Sequence, residues 1–236
     1  RLREFCRRIK TYNLAWIVSL RVDIITQELL EMLKECNCKS IGFGLESADN
    51  RILKSMRKNI TIEQISNALM LCRKVGILSS GGFIFGDIEE TIETYHNTLE
   101  WWKAHPEYYI KLSLIAVYPG SYLYKYACKN GLISDPVQFL KDGCPILNLS
   151  KLTDAEYAEM ATLLDVLPAE RELERLKDAS VMIRNNNVDL TARCPHCGSM
   201  QLWEQLDAFR RVELICTDCF RKFEVGVADY VAMDNY

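Results

Sequence analysis

Apolar and polar positions in the first half of the chain alternate between two periods. Short runs rich in β-branched and aromatic residues at 16–22, 40–46, 80–85 and 110–117 read as strands, and longer stretches with apolar residues three and four apart follow them. After the first run, Leu29, Leu30, Leu33 and Cys36 fall on one helical face. After the second, Thr61 and Gln64 have capping-box spacing, Ile65, Ala68, Leu69 and Cys72 form the apolar face, and Gly76 supplies the stop. Strand followed by helix, four times over, predicts an α/β fold with a parallel sheet, because parallel neighbours need a long crossover. Strand centres lie roughly 25 to 40 residues apart, a spacing shared by (β/α) barrels and open doubly wound sheets. Four apolar parallel strands alone would leave two open edges. With Arg1 to Lys10 reading as the tail of a helix and no initiator Met, the expectation is a fragment whose earlier strands lie upstream of Arg1.

Beyond Gly131 the rhythm stops. Asp135, Pro136, Gly143 and Pro145 punctuate a turn-rich stretch, and Thr153 with Glu156 forms a second capping box. Helical patterns are predicted over 154–167 and 169–183, broken at Pro168, and Asn185, Asn186 and Asn187 read as a linker. The expected organisation is a barrel part at 1–133, a helical extension and linker at 134–187, and a small β domain at 188–236.

Composition narrows the setting. The 236 residues are 49% hydrophobic and 26% charged with a net charge of -3, so no strong overall field draws the chain to nucleic acid or an anionic membrane. No apolar run approaches the roughly 18 residues that cross a bilayer. Six of the ten cysteines are scattered through apolar periodic segments, a usage that suits a reducing compartment and makes the cytoplasm the expected location.

The other four cysteines carry chemistry. Cys194-Pro195-His196-Cys197 precedes Cys216-Thr217-Asp218-Cys219 by eighteen residues. Two such turns can present four thiolates to one ion, the closed tetrahedral shell of a structural Zn²⁺, so a zinc ribbon is expected here with His196 beside the site and outside the ligand set. In so small a unit the metal would supply most of the folding energy. From Thr191 to Tyr236 there are five basic residues against seven acidic ones, which argues against a phosphate-binding face.

Further signals sit where barrel strands end. The run Gly42-Phe43-Gly44-Leu45-Glu46-Ser47 puts a carboxylate and a hydroxyl at the carboxyl end of a strand, where α/β enzymes bind ligands. Leu53, Met56, Lys58 and Thr61 follow, then Gly76-Ile77, then Gly82-Phe83-Ile84-Phe85-Gly86 with Glu90-Thr91, then Tyr118-Pro119-Gly120-Ser121-Tyr122-Leu123-Tyr124. In order and spacing, over about residues 16–133, this series resembles the radical S-adenosylmethionine (SAM) superfamily, with the closest match to members preceded by a cobalamin-binding domain.

The resemblance implies a partial (β/α) barrel, six-stranded when complete, whose mouth holds SAM and a [4Fe–4S] cluster. That cluster, fed by an external electron donor, cleaves SAM to a 5′-deoxyadenosyl radical. The resemblance also raises cobalamin, carried by an upstream domain, as a further cofactor. By the same analogy Glu46 and Ser47 meet the SAM ribose or amino-acid moiety, Phe83, Ile84 and Gly86 lie on the strand against the adenine, and Arg21 pairs with the SAM carboxylate or a substrate acid. The substrate, macromolecular or small, is not readable, because one fold hosts many reactions.

The sequence also departs from the family. No Cys-x-x-x-Cys-x-x-Cys loop occurs; Cys36 and Cys38 read as small buried residues, and cluster ligands are expected upstream, leaving this chain inactive alone. Ile88-Glu89 stands where many relatives carry Pro-Gly. Tyr118, Tyr122, Tyr124 and Tyr126 read as packing residues. A second reading from another class is a non-catalytic module that has lost its cluster and recruits a protein or nucleic acid through its ribbon.

Overall fold

The computed structural model describes residues 1–108, 110–170, 176–184, 187–207 and 211–231. After α1 (Leu2–Ile9), four parallel strands stand side by side in chain order: β1 (Trp16–Leu20), β2 (Cys38–Glu46), β3 (Leu78–Phe85) and β4 (Lys111–Leu114). Between them run α2 (Gln27–Glu35), α3 (Asn50–Ser55), α4 (Ile62–Val75) and α5 (Ile92–Ala104). The Thr61–Gln64 capping box is formed, and Gly76 closes α4 in the left-handed region at φ 77°. This is a segment of a (β/α) barrel, with β1 and β4 as its edge strands.

Strand side chains alternate between two surroundings, as the pleat requires. Ile41, Phe43 and Leu45 of β2 and Phe83 and Phe85 of β3 are buried in one apolar cluster with Leu30 and Leu33 of α2, Ile65 and Leu69 of α4, and Leu99 and Trp102 of α5. The opposite parity carries small or polar residues: Ser19, Gly42 and Ser80 stand in register across three strands, flanked by Gly44 and Gly82. One glycine breaks the pattern on the helix side. A Cβ on Gly81 would meet the Leu45 side chain at 2.6 Å, so the glycine makes room for the core leucine.

Helices α6 (Tyr122–Lys129), α7 (Pro136–Lys141) and α8 (Asp154–Glu170) follow, and Tyr157, Met160 and Leu164 of α8 enter the barrel core. The expected break at Pro168 is absent, as α8 continues to Glu170. Residues 177–184 form β5 (Lys177–Arg184) where a helix was expected. Tertiary pairing overrides the helical pattern there: β5 lies antiparallel to β6 (Asn187–Arg193), with Val181 opposite Leu190 and packed on Val188, Leu190 and Ala192. Asn187 therefore opens a strand, the pair β5–β6 spans the expected boundary at 187–188, and Asn185 and Asn186 fall outside the described residues.

Strand β7 (Met200–Asp207) completes this sheet, and β8 (Arg211–Ile215) pairs with β9 (Lys222–Gly226) ahead of α9 (Ala228–Val231). Of the four tyrosines expected to pack, Tyr124 and Tyr126 join the apolar cluster around Phe139, while Tyr118 and Tyr122 are 66% and 62% exposed. No helix among the described residues is long and apolar enough to cross a membrane.

Replacing Gly81 by Ala should lower stability by about 1–3 kcal/mol through overpacking on Leu45. Gly82→Ala, whose Cβ meets only Lys111 at 3.4 Å and beyond, should cost less. Chemical denaturation of both variants checks the difference; equal losses would contradict the assignment of the two faces.

Candidate functional site

The carboxyl end of β2 is held by a chain of short polar contacts. The ladder to β3 shifts between Phe43 and Glu46, and Glu46 takes a left-handed φ of 66°. Ser47 turns away from the mouth: it is buried, shares a 2.8 Å hydrogen bond with the Thr98 hydroxyl of α5, and accepts the Asp49 N–H. Asp49 caps α3 and accepts hydrogen bonds from Arg51 and from Asn97 of α5. Burial alone would push the Asp49 pKa up, but these donors outweigh it and hold the group at about 2.

With that turn fixed, Glu46 reaches over Gly44 to Lys58. Their charged atoms are 2.5 Å apart, and a Cβ on Gly44 would meet the Lys58 ammonium at 2.9 Å and the Glu46 carboxylate at 3.0 Å. Arg21, just past β1, is clamped by Asp23 through both ends of the carboxylate, at 3.0 and 2.8 Å, and donates to the Lys58 carbonyl at 3.1 Å. Below these charges lies an open groove of about 640 Å³ lined by Ser19, Arg21, Ile24, Gly42, Gly44 and Ser80 among others. Backbone is laid bare by the two glycines, and the walls offer hydroxyls and a cation beside the apolar Leu20, Ile24 and Phe43, which suits a ligand with both polar and apolar parts.

The expected ligand contacts divide. Glu46 and Arg21 stand at this mouth, and Ile84 lies on the inner parity of β3. Phe83 is fully buried on the helix side, edge-on to Trp101 at 5.6 Å, so its side chain cannot meet a ligand in the groove; Ser47 is likewise turned into the helix layer. Gly86 has φ 98° and donates its N–H to the Glu90 carboxylate, and the Tyr157 hydroxyl lies 3.2 Å from where its Cβ would be. Lys58 was legible only as a motif residue; nothing in the spacing signals its pairing with Glu46.

Glu90, too, was legible only as a motif residue. It is 1% exposed, and burial, reinforced by Asp87, pushes its pKa up to about 7. The buried hydroxyls of Tyr95 and Tyr157 have no hydrogen-bond partner among the described residues; burial raises the pKa of both, and the charges of Glu159 and Glu90 raise that of Tyr95 further, as Glu90 does for Tyr157.

Two sets of cysteines behave differently. Cys6, Cys36, Cys38 and Cys72 are buried in the layer between sheet and helices, and Cys36 and Cys38 flank the amino end of β2. Burial raises the Cys6 thiol to about 11 and Cys72 to about 12, which favours the protonated form. A [4Fe–4S] cluster needs thiolates at the mouth, so these residues do not fit one.

Cys194, Cys197, Cys216 and Cys219 do fit a metal: all four sulfurs lie within 4.8 Å of one another. The Cys194–Cys219 and Cys197–Cys216 distances are 3.8 and 3.6 Å, against about 3.8 Å between sulfurs on a tetrahedral zinc. Backbone N–H groups of His196, Asp218 and Cys219 point at these sulfurs, and the His196 ring packs edge-on against Phe223 outside the set.

Residues 3–101 match the model of the radical SAM superfamily. Over that stretch, less than half of its length, the chain is similar to the radical SAM superfamily. An uncharacterized methyltransferase of Pyrococcus horikoshii is 33% identical over 121 residues, covering 51% of this chain and 26% of that protein. The anaerobic magnesium-protoporphyrin IX monomethyl ester cyclase of Rubrivivax gelatinosus is 32% identical over 99 residues, covering 40% and 18%. Among solved structures, the radical SAM methyltransferase TsrM of Kitasatospora setae shares 19% identity over 54% of this chain and 26% of its own, with a TM-score of 0.48. The chain thus spans about a quarter or less of the length of these two curated relatives. The matched segment includes the three strands that line the groove, and the four-cysteine unit lies outside the match.

Glu90 gives a pH signature. Its folded pKa lies above the ordinary carboxyl value of 4.5, so stability should fall as pH rises from about 4.5 to about 7 and then level off. Glu90→Gln should flatten that slope and gain up to roughly 3 kcal/mol at pH 8; a denaturation series across pH checks it, and an unchanged slope would contradict it.

Proposed function

We propose that this chain supplies SAM-binding and substrate-facing strands of a radical SAM enzyme, with a structural zinc ribbon attached. The observation that carries the reading is the groove: a glycine-lined inner sheet face topped by the Glu46–Lys58 pair and by Arg21. Bound there, SAM supplies a sulfonium centre whose carbon–sulfur bond can be opened to a carbon radical. The residues of this chain bind and orient it. Glu46 accepts from ribose hydroxyls or the ammonium, while Lys58 and Arg21 answer the carboxylate. Gly42 and Gly44 let the ligand lie against the backbone.

Methyl transfer is the reaction class this proposal favours, because the Pyrococcus relative is named a methyltransferase. Resemblance to members preceded by a cobalamin-binding domain extends the proposal to cobalamin as a cofactor of the whole protein. The barrel cysteines do not fit an iron–sulfur cluster, so the proposal assigns its ligands to residues outside this chain and expects residues 1–236 alone to leave SAM intact.

Two measurements test this. Full-length protein, reconstituted without oxygen, should hold about four irons in its cluster and about one zinc and should cleave SAM. Glu46→Gln and Lys58→Met should each weaken SAM binding by about tenfold or more through loss of a charged hydrogen bond. A full-length protein with zinc but neither iron nor SAM cleavage would overturn the enzyme reading.

A further inference from the structure

The position of the four-cysteine unit on the barrel points to what it does. In its second cysteine turn, Cys216 accepts the N–H groups of Asp218 and Cys219 through sulfur and that of Phe220 through its carbonyl, at 3.4, 3.5 and 3.0 Å. Phe220, next after the ligand Cys219, is thereby held at φ 57°, a conformation that residues with side chains rarely adopt. Its ring lies against the turn between α4 and β3. Two ring carbons stand 3.0 and 3.1 Å from where a Cβ on Gly76 would be, so Gly76 serves both its left-handed turn and this contact.

Lys34, from the end of α2, joins the two sides. It donates to the Val75 carbonyl at 2.6 Å and holds its ammonium 5.9 Å from the centre of the Phe220 ring. On the β3 side of Phe220, between Phe220 and Lys222 and the barrel residues Arg73, Ile77, Leu78 and Tyr108, a space of about 20 Å³ remains, room for about one water. On its α4 side, between Asp218 and Cys219 and Lys34, Met70 and Lys74, an open cleft of about 580 Å³ remains, so the contact is made by Phe220 and Lys222 and not by the whole unit. These barrel residues cluster at the amino end of β3, whereas Glu46 and Gly86 lie at the carboxyl ends of their strands. The metal turn is therefore docked on the floor of the barrel, away from the groove mouth.

We propose that the metal turn is a clamp on the barrel floor: metal binding fixes the turn that presents Phe220, and Phe220 with Lys34 locks the α4–β3 connection. The proposal rests on the zinc reading above. It gives the ribbon a task within the chain, holding the strands that line the groove, in place of handling substrate or nucleic acid.

Hydrogen exchange on the full chain tests it at two amides, Gly76 and Ile77, which both donate to the Cys72 carbonyl at 2.9 Å. Removing zinc with a chelator should speed their exchange about tenfold, as local opening becomes easier, with no matching change at Leu53, which is bonded to Asp49 near the mouth. Phe220→Ala should do the same while keeping its zinc. Lys34→Met repeats the test from the barrel side should the Phe220 variant lose the metal, and faster exchange in that zinc-loaded protein supports the clamp. Unchanged exchange at Gly76 and Ile77, in the chelated chain or in a zinc-loaded variant, overturns the clamp alone. A chain that takes up no zinc overturns the metal reading instead.

Discussion

Burial of the bulky strand residues against the helices governs the rest of this barrel segment. Ile41, Phe43, Leu45, Phe83 and Phe85 must all face α2, α4 and α5 to leave water, and each such burial is worth about 1.5–3 kcal/mol. Because strand side chains alternate, that choice forces Ser19, Gly42, Gly44, Ser80 and Gly82 onto the other face. The groove is the reverse side of the hydrophobic core. A slip of one residue in β2 would put Phe43 into the groove and Gly42 into the core, losing both together.

Onto that face the chain adds a few charges, held by contacts that run back into the helices. The turn after β2 is tied to α5 through Ser47–Thr98 and Asp49–Asn97, and this fixes where Glu46 meets Lys58. The turn after β3 is tied by Glu90 to the Gly86 N–H and covered by Tyr157 from α8. Residues resembling family ligand contacts thus include some that position the turn rather than face the groove. Ser47 is the clearest case: it stands next to Glu46 in sequence, and its hydroxyl is spent on Thr98.

How far the sequence could be read follows from the same physics. Periodicity located all four strands and the α2 and α4 faces because those elements bury one face continuously, and Thr61, Gln64 and Gly76 marked the ends of α4 through local chemistry. That the four late cysteines come together was legible because two Cys-x-x-Cys turns each present a pair of thiols to one side. Residues 177–184 were misread because their pairing with β6 is a tertiary contact with no local signature. That the Phe83 side chain faces the helix layer was not legible, because a motif gives the strand and not its parity. Glu90 and Lys58 were missed as site-shaping residues because their partners, Gly86 and Glu46, become neighbours through folded turns.

The central claim is that SAM lies on the inner sheet face beneath Glu46, Lys58 and Arg21. Its most direct test is the hydrogen-exchange footprint of SAM on the full-length protein under anaerobic conditions. The account predicts protection at residues 19–21, 42–46 and 80–86, with little change in the helix layer or in residues 187–207. Protection confined to other parts of the protein, with these strands unchanged, would contradict it.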